Sequence, residues 1–529
     1  MARTDRAMNQ PRLHSPAAAG TIHPVVLERR VRDLAVAGVG ALVPALIALA
    51  ITLGLPHASL AEVLLGIAAV VGVVALMASG RLDVTVALIV LYLGLVDGPV
   101  KLLLGQREVA AAMQDVLIFA VAAGALMRLA VKKERVQLPA LFGWLLAWTA
   151  LVVINVFNPR TEGILHSLGG FRQHLQYLPF FFFGYLLLRS KRSFRQFFVI
   201  IGVIALANGA VAIYQTRLSP QQLSSWGPGY HELFTTESSV GAPRLYVSEG
   251  EARIRPPGLG SDEGFSGSMG EIALPCCLAL LGLARRRRWI PALLITGAML
   301  AVVVGLARLS LIGTGLSVLV MGGLTALSGR RVSRTVAALL AMIVLAIPAG
   351  ALIASTVRSG TFKRYESIGL NSETVLHKEG AWSKIPKYVA AEPFGFGLGN
   401  SGPVSGFGGR NSDLLEGHGL TSETQYNVLV KELGLPGLVL WPLMTLYVMF
   451  VIARGMRRVR DPDLALCLAG TLATFFVLPL EGATAFLEAG AMGVYYWFAV
   501  GVAAYWFVGP GRAQLGSSAG GDDAQRAPA

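Results

Sequence analysis

Charged residues are scarce in this chain. Of its 529 residues, only 14% are Asp, Glu, Lys or Arg, whereas 54% are hydrophobic. Soluble domains carry about 25% charged residues, so a chain this apolar would expose too much apolar surface to water. Inside a bilayer, backbone hydrogen bonding permits only helices and closed barrels. The apolar runs are long and do not alternate with polar residues, which favours helices.

Cysteines and metal-binding motifs are also scarce. Three cysteines occur, all inside apolar runs and without zinc-ligand spacing: Cys276, Cys277 and Cys467. The loops assigned below to the outer side contain no Asp-x-Asp motif, with which nucleotide-sugar transferases commonly hold Mg²⁺. Asp461-Pro462-Asp463 has that spacing, but we predict that it caps a cytoplasmic helix. The sequence therefore predicts neither a metal nor a cofactor.

Positive charge is concentrated in short runs beside apolar segments. The formal net charge is +14, a value that would also suit a nucleic-acid-binding protein. The runs instead follow the pattern of cytoplasmic loops in membrane proteins. They cover residues 29–32, 132–135, 191–192, 285–288, 330–331 and 457–460. We therefore expect a lipid bilayer and no nucleic acid around this chain.

The apolar segments number about fourteen, and their lengths suit a hydrocarbon core about 30 Å thick. They cover residues 33–55, 60–78, 84–104, 109–128, 139–157, 173–189, 197–214, 267–284, 289–306, 309–327, 335–355, 426–453, 463–480 and 489–508. The predicted fold is an all-α polytopic membrane protein. Threading it from a cytoplasmic N-terminus puts every basic run inside.

This threading divides the chain at predictable places. We expect residues 1–30 to form a disordered cytoplasmic N-terminus and residues 509–529 to form a flexible cytoplasmic tail. Transmembrane helices are predicted to fill residues 31–214, 267–356 and 426–508. Two long loops, 215–266 and 357–425, fall on the same outer side, where they can meet over one cavity. Residues 372–390 of the second loop are predicted to form a helix that ends before Pro393.

Arginines on the outer side are the first candidate site residues. The positive-inside rule disfavours cations there, so each needs a physical reason. One reason is an anionic ligand, because guanidinium groups bind phosphate oxygens in pairs. The other reason is that each arginine pairs with an acid or caps the carbonyl groups at a helix end. Asp262, Glu263 and Glu271 are near enough in the sequence to be such partners. The candidates for holding a pyrophosphate are Arg255, Arg172, Arg308, Arg253, Arg358 and Arg364.

A base and three intramembrane acids complete the candidate set. A glycosyl acceptor needs a proton acceptor within hydrogen-bond reach, and Glu423 and His418 are the candidates; each is also compatible with a solvated loop residue. Asp97, Asp115 and Glu271 are predicted to lie within the membrane. They suit a proton relay of a transporter, or pairing with Lys101 or the arginines.

Five stretches in order along the chain resemble the superfamily of O-antigen polymerases and O-antigen ligases, which act in the bacterial envelope. They lie at Arg172 before an aromatic-rich run, at Arg255 with Gly258 and Gly260, at Arg308 with Ser310, at residues 382–400 from Trp382 through a Pro-Phe-Gly-Phe-Gly-Leu-Gly turn, and at residues 423–437. Ligases carry a histidine where Glu423 stands. The Arg253 to Gly264 and Arg358 to Gly369 spacings match an Arg-x10-Gly pattern of the polymerase branch.

The resemblance implies a GT-C-like glycosyltransferase in the bacterial inner membrane. Its substrate would be an undecaprenyl-pyrophosphate-linked oligosaccharide, and a flippase and a chain-length regulator would be its partners. The arginines would hold the departing pyrophosphate, and Glu423 or His418 would be the base. The polymerase branch is favoured. The alternatives are a ligase that transfers glycan to lipid A core or protein, and a polysaccharide or lipid transporter.

Overall fold

The computed structural model describes residues 82–104, 108–131, 141–161, 163–235, 245–248, 251–262, 264–329, 373–402, 424–487 and 490–516. The predicted segments 33–55, 60–78 and 335–355 lie outside these residues, so the count of fourteen stays a prediction. The chain divides into two compact units. One comprises residues 1–80 and 124–134, of which only the end of one helix is described. The contacts and the cavity described below belong to the other, residues 81–123 and 135–529.

The described part of the chain is almost entirely helical. Its helices are α1 Leu82–Leu91, α2 Asp97–Leu104, α3 Glu108–Val131, α4 Phe142–Val156, α5 Ile164–Leu175, α6 Pro179–Leu187, α7 Lys191–Gln215, α8 Pro220–Ser224, α9 Pro228–Thr235, α10 Phe265–Leu283, α11 Trp289–Val304, α12 Arg308–Leu327, α13 Glu373–Ala391, α14 Gln425–Met456, α15 Pro462–Leu472, α16 Leu478–Gly482 and α17 Ala491–Ala503. A π-helical turn, Tyr92–Val96, joins α1 to α2, and another, Ala504–Val508, extends α17.

Several of these helices are long and apolar enough to cross a membrane. The described residues contain six such spans, or seven if the bent pair α15–α16 counts as one. The spans are Leu82–Leu103, Lys191–Gln215, Phe265–Leu283, Arg308–Leu327, Gln425–Met456 and Ala491–Val508. Among them, α10 is largely enclosed and packs against α7, α11, α12 and α15. This architecture is that of a multi-pass membrane protein.

The observed elements depart from the apolar runs where special residues intervene. The segment predicted at 173–189 is divided between α5 and α6, because Pro179 has no amide hydrogen and starts a new helix. The segment predicted at 463–480 bends by 41° between α15 and α16. Within the predicted loop 215–266, β1 (Leu245–Ser248) and β2 (Glu251–Ile254) pair as an antiparallel hairpin. The tail beyond Gly509 is helical as far as Gly516, and Leu515 is buried.

Helix α7 links two opposite ends of the bundle. At its first residue, Lys191 Nζ donates to Asp461 Oδ2 at 2.9 Å. At its last residue, the Gln215 side chain binds the backbone of Gly258. Because a helix of 25 residues is about 37 Å long, these contacts lie far apart. The basic runs at 191–192 and 457–460 therefore share one end, and the loop that follows Arg255 lies at the other.

Asp461 caps α15, as the sequence predicts. Its Oδ1 accepts hydrogen bonds from the backbone N–H groups of Asp463 (2.9 Å) and Leu464 (3.0 Å). Burial alone would raise the Asp461 pKa, but the hydrogen bond from Lys191 and those from the backbone outweigh burial and lower it. The charged form is thus favoured in the folded protein. Its stabilising effect is complete above the ordinary pKa of about 3.9 and is lost as the pH falls through the lower folded pKa.

We expect Asp461→Ala to lower the free energy of unfolding by about 1–2 kcal/mol, because the cap and the Lys191 contact are both lost. Asp461→Asn keeps a capping oxygen and removes only the charge. Thermal melts of the detergent-solubilised variants should therefore rank wild type, Asn and Ala in that order at pH 7. The gap between wild type and Asp461→Asn should shrink below pH 4; a constant gap down to pH 3 would contradict this assignment.

Candidate functional site

A glycine-rich turn after α13 fits into a break in α14. Gly434 interrupts α14 with a φ of +66°, in the left-handed region that favours glycine. The Leu435 N–H donates to the carbonyl of Pro393 at 2.8 Å, across this break. A Cβ on Gly395, whose φ is +84°, would lie 2.6 Å from the carbonyl oxygen of Glu432. Two of the stretches that carry the resemblance therefore interlock through their backbones.

The same turn also contacts α5, which carries Arg172. A Cβ on Gly170 would lie only 2.3 Å from the backbone nitrogen of Gly399, so the two backbones touch. Two residues after Arg172, His174 Nε2 lies 2.9 Å from Glu432 Oε2, and both side chains are fully buried. The other oxygen of Glu432 accepts a hydrogen bond from the Ser401 N–H at 3.0 Å. Three stretches of the resemblance thus form one packed junction, which we call the motif junction.

Helix α13, Glu373–Ala391, confirms the helix predicted at 372–390. Its Trp382 packs against the start of α14. The Trp382 Nε1 donates to the carbonyl of Ala483 at 3.0 Å, and its ring lies 5.3 Å from that of Tyr426. At 42% exposure Trp382 also keeps a large part of its surface accessible. The tryptophan therefore anchors α13 beside the motif junction.

Arg172 forms an ion pair with an acid of the membrane domain. Its Nε donates to Asp115 Oδ2, and its side chain remains 34% exposed. The sequence left Asp115 open between a proton relay and an arginine partner, and the structure shows the arginine partner. Since arginine carries five N–H donors, a contact through Nε orients the guanidinium without using all of them. Arg172 is thus a fixed cation at the edge of the motif junction.

The loop after Arg255 is held on α7 by two buried amides. Gln215 accepts from the Gly258 N–H and donates to the Gly258 carbonyl, both at 2.9 Å. Asn208 accepts from the Leu259 N–H at 2.9 Å and donates to the carbonyl of Gly94, also at 2.9 Å. Gly258 has a φ of +67°, which this tight turn requires. Arg255 itself is half-buried at the start of the turn.

Arg308 begins α12 beside the start of α10. The preceding Leu306 is fully buried and has a φ of +53°, a strained value for a residue with a side chain. A Cβ on Gly267 would lie 3.1 Å from the Cβ of Ser310. The turn that carries Arg308 is thus packed closely against the helix that follows the Arg255 loop. These two stretches of the resemblance also meet.

A cavity opens between α1, α2, α3, α7, α10 and α17, with the Arg255 loop at one side. The space inside it that is open to the centres of water-sized molecules is about 100 Å³. A chain of hydrogen bonds crosses its polar end. Lys101 Nζ donates to Asp97 Oδ2 at 2.7 Å and to Gln114 Oε1, and Gln114 Nε2 donates to the Tyr177 hydroxyl at 3.0 Å. Asp262 completes this end. Asp97 therefore pairs with Lys101, the partner that the sequence offered it.

Glu271, the third intramembrane acid, faces another acid. Gly313 leaves the space that they share, since a Cβ there would lie 2.3 Å from Glu271 Oε1 and 2.5 Å from Glu481 Oε1. Both glutamates are buried. Two carboxylates this close repel each other when both are ionised. For Glu271, a role in proton transfer stays a prediction.

The remaining predicted site residues fall in parts of the chain that the structure does not describe. Both candidate bases belong to this group, as do two arginines of the second long loop: Glu423, His418, Arg358 and Arg364. For Arg253 the structure describes only the backbone, which pairs with that of Tyr246 in the hairpin. Of the six predicted arginines, Arg172 lies at the motif junction, and Arg255 and Arg308 lie in the two stretches that pack at the start of α10; that they hold a pyrophosphate stays a prediction.

Sequence reasoning missed the amides that build this region. Asn208, Gln215 and Gln114 lie within or beside apolar segments, where an amide needs a buried partner. The energetic cost of burying an unpaired amide was the signal that could have identified these residues. Asn208 and Gln215 are also seven residues apart, which puts them on one face of α7. Their partners could not be predicted, because each lies far away in the sequence.

Comparison with models of protein families and with curated proteins found no match in either case.

Proposed function

We propose that this protein is a glycosyltransferase that polymerises repeat units linked to undecaprenyl pyrophosphate, for an O-antigen, a capsule or an exopolysaccharide. One observation carries the proposal. The five family-like stretches, whose contacting residues lie as many as 258 positions apart in the sequence, contact one another in two groups. The motif junction contains the stretches at Arg172, Trp382 and Tyr426. The Arg255 and Arg308 stretches form the second group.

The cavity lies where the two groups approach each other. Tyr177, five residues after Arg172, lines it, and so does Gln114, the neighbour of Asp115. From the other group, Gly260 and Asp262 line it. This arrangement supports a single reaction centre built from distant parts of the chain. It also accounts for arginines at helix ends where a simple membrane anchor would have none.

In this proposal the arginines stabilise the leaving group. Transfer breaks the bond between the anomeric carbon and the pyrophosphate oxygen, and the pyrophosphate departs with the electron pair. Preorganised cations at the place where this charge develops lower the barrier. Arg172, oriented by Asp115, is the best-defined candidate, and Arg255 and Arg308 are the others. The reaction would take place at the periplasmic face of the inner membrane.

We expect Arg172→Ala to reduce kcat/KM for polymerisation by about 100- to 1,000-fold, because a fixed cation is removed from the leaving group. The assay is elongation of a purified lipid-linked repeat unit by purified protein. Arg160→Ala is the matched control, since Arg160 is 65% exposed and pairs with Glu392 at the surface. Its activity should match wild type. Equal activity of Arg172→Ala and Arg160→Ala would remove Arg172 from the mechanism.

A further inference from the structure

The cavity changes character along its length. Its polar end lies near the Arg255 loop, where Asp97, Lys101 and Asp262 line it. Towards the Lys191 end of α7 the wall becomes apolar and aromatic, and Phe197 stacks on Phe498 with ring centroids 4.8 Å apart. The apolar wall is made by Val90, Leu93, Phe197, Ile201, Ile272 and Phe498. Such a cavity matches a sugar, whose hydroxyl groups would lie at the polar end and whose apolar ring faces would pack against the aromatic wall.

The polar end is rich in hydrogen-bond acceptors. Asp97 is only 7% exposed, and its Oδ2 accepts from Lys101. Its Oδ1 is buried and has no hydrogen-bond partner among the residues that the structure describes. A buried carboxylate oxygen without a partner requires a hydrogen-bond donor. Because Asp97 lines the cavity, a ligand with O–H or N–H groups is the natural source.

The charges at this end disfavour an anion. Two carboxylates, Asp97 and Asp262, face one ammonium group, that of Lys101. A pyrophosphate placed among them would be repelled, whereas sugar hydroxyls would donate to the carboxylates and accept from Lys101. In the proposed reaction the pyrophosphate would therefore bind to the arginines, outside the polar end of the cavity. The cavity suits the uncharged, hydroxyl-rich part of a substrate.

We propose that this cavity binds the acceptor sugar of a glycolipid, with Asp97 and Lys101 orienting its hydroxyls and Asp262 accepting the proton of the attacking hydroxyl. The inference rests on the proposed function and names the acceptor site within it. Asp97 and Asp262 have different roles because their environments differ. Asp97 is fixed by its ion pair and enclosed, whereas Asp262 is half-buried beside Gly490 and can return a proton to water.

The chemical step balances without a further reactant. The acceptor hydroxyl oxygen forms a bond to the anomeric carbon of the donor sugar, and the bond from that carbon to the pyrophosphate oxygen breaks. The pyrophosphate takes the electron pair, and the hydroxyl proton passes to the Asp262 carboxylate. Release of that proton to water restores the site. A general base of this kind contributes about 100- to 10,000-fold to the rate.

Binding is tested first, with a probe that needs no turnover. The full chain, purified in a polyoxyethylene detergent, is mixed with an alkyl maltoside that carries a diazirine at the end of its chain, and is irradiated. We expect labelled peptides to contain Phe197, Ile201 or Phe498. The double variant Asp97→Asn/Asp262→Asn should lose about tenfold in labelling. Asp83→Asn, an exposed position on α1, is the matched control and should label like wild type.

Kinetics then test the base. Asp262→Asn should lower kcat at least about 100-fold with little change in KM, whereas Asp97→Asn should act mainly by raising KM. An absence of label in the cavity peptides, or equal labelling of them by a diazirine chain without a sugar head, would overturn the acceptor site. Polymerisation with an unchanged kcat in Asp262→Asn would overturn the base while the proposed function stands. Cavity labelling without any turnover by wild type would support the sugar site and overturn both the base and the polymerase.

Discussion

Glu432→Ala is expected to lower the free energy of unfolding by about 3–5 kcal/mol, because two buried groups would lose this hydrogen-bond acceptor at a cost of about 1–3 kcal/mol each. Glu432 accepts hydrogen bonds from both His174 and the Ser401 N–H, and it is fully buried. Alanine would leave both partners without their acceptor. Because these contacts join α5, α14 and the glycine-rich turn, the loss should also loosen the motif junction. Thermal melts of the purified protein in detergent measure the effect.

Two further variants make this result interpretable. Glu432→Gln keeps an oxygen for the Ser401 N–H and should lose clearly less stability than alanine does. Glu392→Ala breaks the pair with Arg160, whose side chain is 65% exposed, and pairs in contact with water are worth about 0–1 kcal/mol. A melting temperature of Glu432→Ala as high as that of Glu392→Ala would show that the buried contact does not hold the junction together.

Gly170→Ala should be similarly severe, although alanine is normally the better residue in a helix. The added Cβ would lie 2.3 Å from the nitrogen of Gly399 and 2.8 Å from the carbonyl carbon of Leu398. Both are backbone atoms, so no rotamer change relieves the clash, and α5 must separate from the turn. We expect a loss of about 3 kcal/mol or more, together with loss of activity.

Gly315→Ala is the matched control for this substitution. Gly315 also lies in a helix, but a Cβ there would have no atom within 4 Å outside its own helix. It should melt at the wild-type temperature or slightly above it. If Gly170→Ala behaved like Gly315→Ala in melting and activity, the close contact between α5 and the turn would be wrong.

The apolar runs predicted the helices well, and their errors have physical causes. Helix α7 was predicted from residue 197, yet it starts at Lys191, because Ser190 caps it and accepts from the Ser193 N–H. Hydropathy reports the length in contact with lipid, whereas a cap sets where the helix begins. The break at Gly434 was not predicted, because its cause is a turn that lies about forty residues earlier in the chain.

The candidate site was only partly predictable for the same reason. The Asp97–Lys101 pair follows from i,i+4 spacing on a helix. Arg172 could be singled out as a cation at an outer helix end, but its partner Asp115 lies 57 residues away. The Asn208 and Gln215 contacts with the Arg255 loop are likewise set by the fold. Residue type identifies the groups that need partners, and only the packing supplies those partners.

The most direct test of the central claim uses purified wild-type protein and one substrate, the undecaprenyl-pyrophosphate-linked repeat unit. Products are separated by size after incubation in detergent, without lipid A core. The polymerase account predicts a ladder of glycans that grow by one repeat unit per step, with release of undecaprenyl pyrophosphate. Transfer only after lipid A core is added would instead identify a ligase. No turnover in detergent, with substrate movement across reconstituted vesicles, would identify a transporter and contradict the account.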